Sequence, residues 1–346
     1  MKTVKCIALL AAVGLLWASP APAGREELRV VGSWNNLTMF KNFEQPFWTE
    51  VVPKELGIKT SLTSIGQVNV KGPAVLRSVK MGVYDVVHTV ADYVVDDSPA
   101  LAGLDLPALA NDLKLARKVV EAYWPVLDDF LQKDFGVKLV SVVPYPAQVL
   151  FINTPIKSLA DLKGKKIRAS GWTTSEFVTA LGATGVTLAF SEVPQALQRG
   201  VVDGAVTGSL SGFSAGWGEV AKYLYPLPIG GWDYVIGTIG LERWKALGAE
   251  KQAKLQKLIR EKLQDPAWEV TAKETQEGVA CLSSSGVCPH GTPAKMTVLP
   301  VTAGDERAAK EVLVKNVLPA WAKKVDKSTV ARWNESIGNL VNLQAK

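Results

Sequence analysis

Apolar runs and helical periodicities alternate along most of the chain. A periodicity of about 3.6 residues indicates helices, and short apolar runs bounded by turn residues indicate buried strands. Strands are predicted at Leu28–Ser33, Lys59–Ser64, Val83–Thr89 and Lys138–Val143. Helices are predicted at Phe40–Glu55, Pro73–Met81 and Leu113–Phe135. The predicted fold class is therefore α/β, with mainly parallel sheets flanked by helices.

One local pattern occurs in each half of the chain. A helix ends at Gly82, two apolar residues follow, and Asp85 begins a buried strand. The second half repeats this order at Gly200 and Asp203, after a helix for which Ser191 is the predicted N-cap. The repeat predicts two similar lobes.

Ligands of open α/β sheets bind beyond the carboxyl ends of the strands. Two facing lobes would then place residues 90–93 and 207–213 in one cleft. We expect residues 24–147 with 235–265 to form lobe I, and residues 148–234 with 266–346 to form lobe II. A long helix within residues 250–278 is expected to span both lobes, and two C-terminal helices are expected within residues 307–343.

The N-terminus has the features of a cleaved signal peptide. Lys2 and Lys5 precede an apolar core that is too short to span a bilayer, and Ala21 and Ala23 fit a cleavage site after residue 23. Residues 1–23 are therefore predicted to direct the chain to the periplasm and to be removed.

Composition narrows the possible functions. The 346 residues have a formal net charge of +6, but the basic residues are scattered, which argues against a nucleic-acid partner. His88 and His290 are the two histidines, and no common hydrolase or metal motif is present. No catalytic residue, cofactor or metal ligand is predicted, and a secreted hydrolase is the least favoured alternative.

Two cysteines remain after export. Cys281 and Cys288 bracket a turn-rich loop, and an oxidising compartment favours a disulfide between them. A metal site with His290 is the alternative, although two thiols and one imidazole at this spacing make a poor ligand set.

The middle of the chain resembles a known family. The blocks that carry the resemblance occur in order over about 45 residues: Leu159–Arg168, Leu181–Ala183, Phe190–Val193, Ala196–Gln198 and Gly200–Gly204. They are similar to DctP-type substrate-binding proteins of tripartite ATP-independent periplasmic (TRAP) transporters. The resemblance implies a non-enzymatic, two-lobed receptor that closes on a small organic acid. It also implies integral membrane permease subunits as partners; a receptor that presents its ligand to a sensor is the alternative.

The resemblance also implies that Arg168 binds the ligand carboxylate. The guanidinium is suited to this role because its paired donors match a carboxylate. Ser170 follows Arg168 at the expected end of a strand, and Asp92 lies in the first cleft segment. Both are candidate ligand contacts.

Two positions depart from the family pattern. Thr207 stands where an asparagine is common, and Gln148 lies where a second arginine often occurs. Together with the Gly208 amide, these side chains could hold a hydroxyl or keto group. Tryptophans are expected at the cleft at three positions, Trp34, Trp172 and Trp232. A single arginine beside aromatic residues predicts an apolar or aromatic monocarboxylate, not a dicarboxylate or a sugar acid.

Overall fold

The computed structural model describes residues 27–68, 70 and 73–346. The predicted signal peptide, residues 1–23, lies outside this range. Within it, the strands are β1 (Glu27–Gly32), β2 (Lys59–Ser64), β3 (Val86–Val90), β4 (Val137–Val143), β5 (Gln148–Ile152), β6 (Lys166–Ala169), β7 (Thr184–Thr187), β8 (Gly204–Gly208), β9 (Tyr223–Tyr225), β10 (Val235–Gly240) and β11 (Thr297–Val298).

The α-helices alternate with these strands and then fill the C-terminal part. They are α1 (Val52–Leu56), α2 (Ile65–Val68), α3 (Ala74–Lys80), α4 (Leu113–Phe130), α5 (Trp172–Ala180), α6 (Val193–Gln198), α7 (Ser209–Ser214), α8 (Leu241–Ala246), α9 (Gly248–Ile259), α10 (Asp265–Ser283), α11 (Ala303–Val312), α12 (Leu318–Ala322), α13 (Lys327–Trp333) and α14 (Asn339–Val341). Shorter 3-10 and π-helical turns connect several of them.

The strands form two sheets, one in each lobe. The first sheet has the order β2-β1-β3-β10-β4, and the second has the order β11-β9-β5-β8-β6-β7. In the first sheet β10 runs antiparallel to both neighbours, and in the second β5 does so, while the other pairings are parallel. The predicted α/β fold is confirmed, although each sheet is mixed.

The two reversed strands are the ones that the chain enters on crossing between sheets. It leaves β4 for β5, and later leaves β9 for β10. Each crossing starts at the carboxyl end of a strand, where the two sheets face each other. The next strand therefore begins at that end and must run in the opposite direction. This topology places Gln148, at the start of β5, directly opposite Gly208, at the end of β8.

The repeated glycine–aspartate pattern has one structural role in both halves. Gly82 and Gly200 have φ angles of 68° and 69°, in the left-handed region that glycine adopts without strain after a helix. Asp85 accepts a 2.8 Å hydrogen bond from the backbone N–H of Arg29 in β1. Asp203 accepts a 2.7 Å bond from the backbone N–H of Lys166 in β6. Each aspartate thus ties its strand to the neighbouring one.

A nearly continuous helix packs on the first sheet and on α7. A π-helical turn, Arg260–Gln264, joins α9 to α10, and Pro266 lies in the first turn of α10, where its missing N–H costs no intrahelical bond. Trp268 donates a 2.9 Å hydrogen bond to the carbonyl of Val142 in the first sheet. Further along, α10 packs on α7, close to the second sheet, where Gly278 allows the backbones to approach. The long helix predicted within residues 250–278 is present, and its role in spanning both lobes stays a prediction.

The C-terminal helices bury two tryptophans against an earlier segment of the chain. Trp321 donates to the carbonyl of Pro99 at 3.0 Å, and Trp333 donates to that of Gly103 at 2.8 Å. Both lie beside the 3-10 turn Pro99–Leu104, which comes between β3 and α4 along the chain. The assignment of residues 266–346 to lobe II stays a prediction.

One local prediction is wrong. Ser191 does not cap a helix, because the chain forms a 3-10 turn, Phe190–Glu192, before α6 begins. The carboxylate of Glu192 instead accepts a 3.0 Å hydrogen bond from the N–H of Ala189.

The Cys281–Cys288 disulfide is present, with the two Cα atoms 4.7 Å apart at the end of α10. His290 contacts Glu277 at 2.8 Å. The described residues contain no cluster of three or more metal-binding side chains. None of the described helices combines the length and the hydropathy required to cross a membrane.

Candidate functional site

A cavity of about 430 Å³ lies between the carboxyl ends of the two sheets. Its walls come from segments that directly follow β1, β2, β3, β6 and β7, as expected for an α/β cleft. The first lobe contributes Trp34, Ile65, Gly66, Val70, Pro73, Val75, Thr89, Asp92, Tyr93, Val95 and Asp96. The second contributes Ser170, Gly171, Trp172, Ser175, Thr187, Leu188, Ala189, Ser191 and Glu192.

Arg168 lies directly behind the wall of this cavity and is 1% exposed. Its Nε donates to the carbonyl of Leu188 at 3.0 Å, and its Nη1 donates to that of Val206 at 2.9 Å. The guanidinium also lies 5.7 Å from the ring centroid of Trp217. Its Nη2 is buried and has no hydrogen-bond partner. Two donors thus fix the side chain, and a third remains for an incoming acceptor.

Burial and three neighbouring side chains, Tyr93, Asp92 and Asp233, set the electrostatic environment of Arg168. Burial lowers the pKa of Arg168, whereas Tyr93 and Asp233 raise it. Burial, reinforced by the negative charge of Asp233, raises the pKa of Tyr93 to about 12. Tyr93 is therefore a neutral phenol near the guanidinium, and its oxygen accepts a 3.3 Å hydrogen bond from the indole N–H of Trp34.

Asp92 joins the two lobes. It follows β3 of the first sheet, but its carboxylate accepts hydrogen bonds from residues after β6 of the second. Ser170 donates through its hydroxyl at 3.2 Å, and Thr173 donates through its hydroxyl at 3.2 Å and its N–H at 3.5 Å. Burial raises the pKa of Asp92 to about 6, although these bonds and Arg168 oppose the shift.

Gly171 makes this contact possible. An added Cβ would lie 2.4 Å from an Asp92 carboxylate oxygen and 2.6 Å from the Asp92 carbonyl oxygen. Both distances are shorter than real Cβ contacts. The lobes can therefore approach this closely only with glycine at position 171.

Asp233 supplies a second buried carboxylate near Arg168. Burial and the negative charge of Asp92 raise its pKa to about 7, although Arg168 and a side-chain hydrogen bond with Ser170 oppose the shift. Its backbone has φ 49°, in the left-handed region. Asp105 fixes this turn by accepting from the N–H groups of Trp232 at 2.9 Å and Asp233 at 2.6 Å. Burial raises the pKa of Asp105 to about 8, against those two hydrogen bonds.

Aromatic rings extend from the cavity towards Arg168. Trp34, from the first lobe, lies 5.5 Å from Phe190 of the second, and Phe190 lies 5.3 Å from Trp217, measured between ring centroids. Trp172 also lines the cavity, and the Lys324 ammonium lies 4.8 Å from its ring centroid. Tryptophans of both lobes thus form apolar parts of the wall.

The predicted site residues divide into two groups. The structure brings four of them together as lining residues of the cavity, namely Trp34, Asp92, Ser170 and Trp172. Arg168 lies behind them. Four others do not line the cavity, namely Gln148, Thr207, Gly208 and Trp232.

The side chains that do not reach the cavity have structural partners instead. Gln148 donates to the carbonyl of Pro146 at 2.8 Å, and Trp232 donates to that of Ala110 at 3.0 Å. A Cβ on Gly208 would meet the Pro146 carbonyl at 3.0 Å, so this glycine permits close backbone packing. Thr207 is buried within β8. Their role as ligand contacts stays a prediction.

Sequence reasoning missed three residues of this region. Tyr93 stood at the end of the expected cleft segment, and Phe190 began one of the family blocks, but neither position alone indicated a contact. Asp233 follows Gly230, Gly231 and Trp232 in a turn-forming run, which was the available signal.

The model of the family described as DctP, bacterial extracellular solute-binding protein, family 7, matches residues 58–317. The C4-dicarboxylate-binding periplasmic protein DctP of Rhodobacter capsulatus is 27% identical over 230 residues, which are 66% of this chain and 65% of that protein. An uncharacterized Salmonella typhimurium protein, YiiZ, is 29% identical over 154 residues, 42% of this chain and 45% of its own. The chain therefore spans less than two thirds of the length of these relatives.

Solved structures share the fold over nearly the whole chain. A Bordetella pertussis extracytoplasmic solute receptor that binds pyroglutamic acid is 23% identical with a TM-score of 0.79, covering 90% of this chain and 99% of its own. A TRAP solute-binding protein from Desulfovibrio salexigens with bound orotic acid is 19% identical with a TM-score of 0.80, covering 91% and 100%. One from Rhodoferax ferrireducens with bound malonate is 20% identical with a TM-score of 0.79, covering 91% and 98%.

Proposed function

Because the chain belongs to the bacterial extracellular solute-binding protein family 7, a family of receptors and not of enzymes, we propose that it captures a small organic acid between its lobes. The loaded receptor then delivers the acid to the integral membrane subunits of a TRAP permease. Periplasmic location follows from the predicted signal peptide together with the extracytoplasmic location of the family.

The observation that carries the proposal is the free donor of Arg168. A buried guanidinium nitrogen without a partner is costly unless an acceptor completes it. A ligand carboxylate at the wall of the cavity supplies that acceptor. A ligand that also touches the other lobe favours the closed form by its extra affinity for that form.

The cavity favours a monocarboxylate with an apolar or aromatic body. Trp34, Trp172 and Leu188 offer apolar surface. The described lining residues also include Asp92, Asp96 and Glu192, which repel a second carboxylate. For this reason the proposed ligand differs from the C4-dicarboxylate named for the Rhodobacter capsulatus relative. Pyroglutamic and orotic acids, named for two of the structural neighbours, are ring monocarboxylates with polar ring groups, and the malonate of a third is a dicarboxylate.

A competition series tests the ligand class. Thermal shift followed by calorimetry would compare benzoate, mandelate and phenylpyruvate with succinate, malate and a hexuronate. The proposal predicts that a monocarboxylate of the first group binds best. A tenfold preference for a diacid or for the sugar acid would overturn the assignment of ligand class.

A further inference from the structure

One buried hydroxyl at the wall of the cavity has no hydrogen-bond partner. Thr89, near the end of β3, lines the cavity and is 0% exposed, and its Oγ1 is without a partner. Among the described residues, no other side chain that lines the cavity has a buried polar atom in this state. Burying an unpaired hydroxyl costs free energy, so its presence at this position calls for a reason.

The packing of β3 does not supply that reason. Val86, Val87 and Val90 occupy the other apolar positions of the strand, and valine has the same branched shape as threonine. In the neighbouring strand β10, the equally buried Thr238 is satisfied within the sheet, because it donates to the carbonyl of Val87 at 3.1 Å. Thr89 has no such acceptor, so its hydroxyl is available to a molecule in the cavity.

The two vacant polar groups of this region belong to different sheets. Thr89 lies in the first sheet, whereas Arg168, whose Nη2 is also unpartnered, lies in β6 of the second. Trp34, Trp172 and Leu188 form apolar parts of the wall of the same cavity. An acid with its carboxylate at Arg168 and an apolar body can therefore complete the site with one further polar group at Thr89. A neutral hydroxyl suits that position, because it can both donate and accept, and the acidic lining residues repel a second carboxylate.

We propose that Thr89 is a ligand-binding residue that hydrogen-bonds to a hydroxyl on the body of the acid and thereby selects hydroxy acids over their deoxy counterparts. This inference rests on the proposed capture of an acid at Arg168. Because the two contacts come from opposite sheets, a ligand that makes both favours the closed form by its extra affinity for that form. An acid that lacks the hydroxyl leaves Thr89 unpaired in the occupied site.

A series of matched acids tests the inference. Phenylacetate is the parent compound, and mandelate, 3-hydroxyphenylacetate and 4-hydroxyphenylacetate each add one hydroxyl at a different position. Calorimetry with the wild-type protein should show at least one hydroxy acid binding roughly fivefold to a hundredfold more tightly than phenylacetate. Thr89→Val keeps the branched shape but removes the hydroxyl. This variant should bind the same hydroxy acid at most about twofold more tightly than phenylacetate.

Two further variants and a stability measurement separate ligand binding from a structural role. Thr89→Ser retains the hydroxyl and should keep most of the preference. Thr184→Val makes the same chemical change at an exposed residue of β7 that does not line the cavity, and it should bind as wild type does. In urea titrations without ligand, the unfolding midpoint of Thr89→Val should equal or exceed that of wild type, because an unpaired buried hydroxyl is removed. A clear fall in the midpoint would show that the hydroxyl has a structural partner and would overturn the inference.

The outcomes also separate this inference from the proposed function. Equal binding of phenylacetate and all three hydroxy acids by wild type would overturn the role of Thr89 while leaving carboxylate capture intact. An undiminished preference for the hydroxy acid in Thr89→Val would overturn that role as well. If none of these acids binds, the proposed function itself fails.

Discussion

The contact of Asp92 with the second lobe predicts how pH controls the separation of the lobes. The carboxylate accepts three hydrogen bonds, yet its pKa is raised from 3.8 to about 6 by burial. Arg168 favours its charged form, whereas Asp233 is a nearby carboxylate that titrates close to pH 7. Closing the lobes over a charged Asp92 therefore costs roughly 3 kcal/mol relative to a neutral group of the same shape.

Asp92→Asn tests this estimate. The amide keeps the size of the side chain, accepts from Thr173 and donates to Ser170, but carries no charge. The free-energy advantage of Asp92→Asn over wild type for closure should be small near pH 4, where the wild-type carboxyl is protonated in the closed form and partly protonated in the open form. The free-energy advantage of Asp92→Asn for closure should grow to roughly 3 kcal/mol above pH 7. Asp92→Ala should favour the open form at every pH, because it leaves the donors of Ser170 and Thr173 without a partner.

Small-angle X-ray scattering measures the separation of the lobes directly. The radius of gyration of the unliganded wild type should increase from pH 4 to pH 8, whereas that of Asp92→Asn should stay nearly constant. Asp96→Asn removes an exposed carboxylate nearby and should behave as wild type. The reasoning is refuted if Asp92→Asn opens the protein as much as Asp92→Ala does, or if its effect does not depend on pH.

Three further predictions follow from the same geometry. Gly171→Ala places a Cβ 2.4 Å from a carboxylate oxygen of Asp92, so scattering should show an open protein. Calorimetry should show at least tenfold weaker binding of the best acid. Unchanged closure would contradict the contact between Gly171 and Asp92. Urea titrations should show that the free energy of unfolding falls by roughly 3 kcal/mol between pH 6.5 and 8. The reason is that three buried carboxyls with raised pKa values lose their protons in this range: Glu44, Asp105 and Asp233. His88, whose pKa is lowered by burial to about 3, opposes this trend only below pH 6.5, so a rise in stability across the window would refute it. Alkylation of the folded, unreduced protein should find no free thiol at Cys281 or Cys288.

The strand–helix alternation was enough to predict the fold class. The repeated Gly–x–x–Asp pattern marked equivalent positions in both halves because each aspartate bonds to the strand beside it. The reversed direction of β5 and β10 was missed, since apolar runs carry no sign of strand direction.

The candidate site was predictable where residues follow the ends of parallel strands. Trp34 and Asp92 reach the cavity for that reason. Trp232 has the same kind of sequence context, but its indole points to the carbonyl of Ala110. The contacts that distinguish these tryptophans join distant parts of the chain, and a single sequence does not reveal them. Asp233 was missed because its significance depends on Asp105, 128 residues earlier.

The central claim is that Arg168 receives the carboxylate of the ligand, and calorimetry on three variants tests it most directly. Arg168→Ala should weaken binding of the best acid by roughly 30- to 5000-fold, the usual cost of about 2–5 kcal/mol for losing one partner of a buried charge pair. Arg168→Lys should recover only part of the affinity, since an ammonium cannot bond to Leu188, Val206 and the ligand in the same planar geometry. Lys166→Ala removes an exposed cation from the same strand and should bind as wild type does. Wild-type affinity in a folded Arg168→Ala or Arg168→Lys protein would contradict the account.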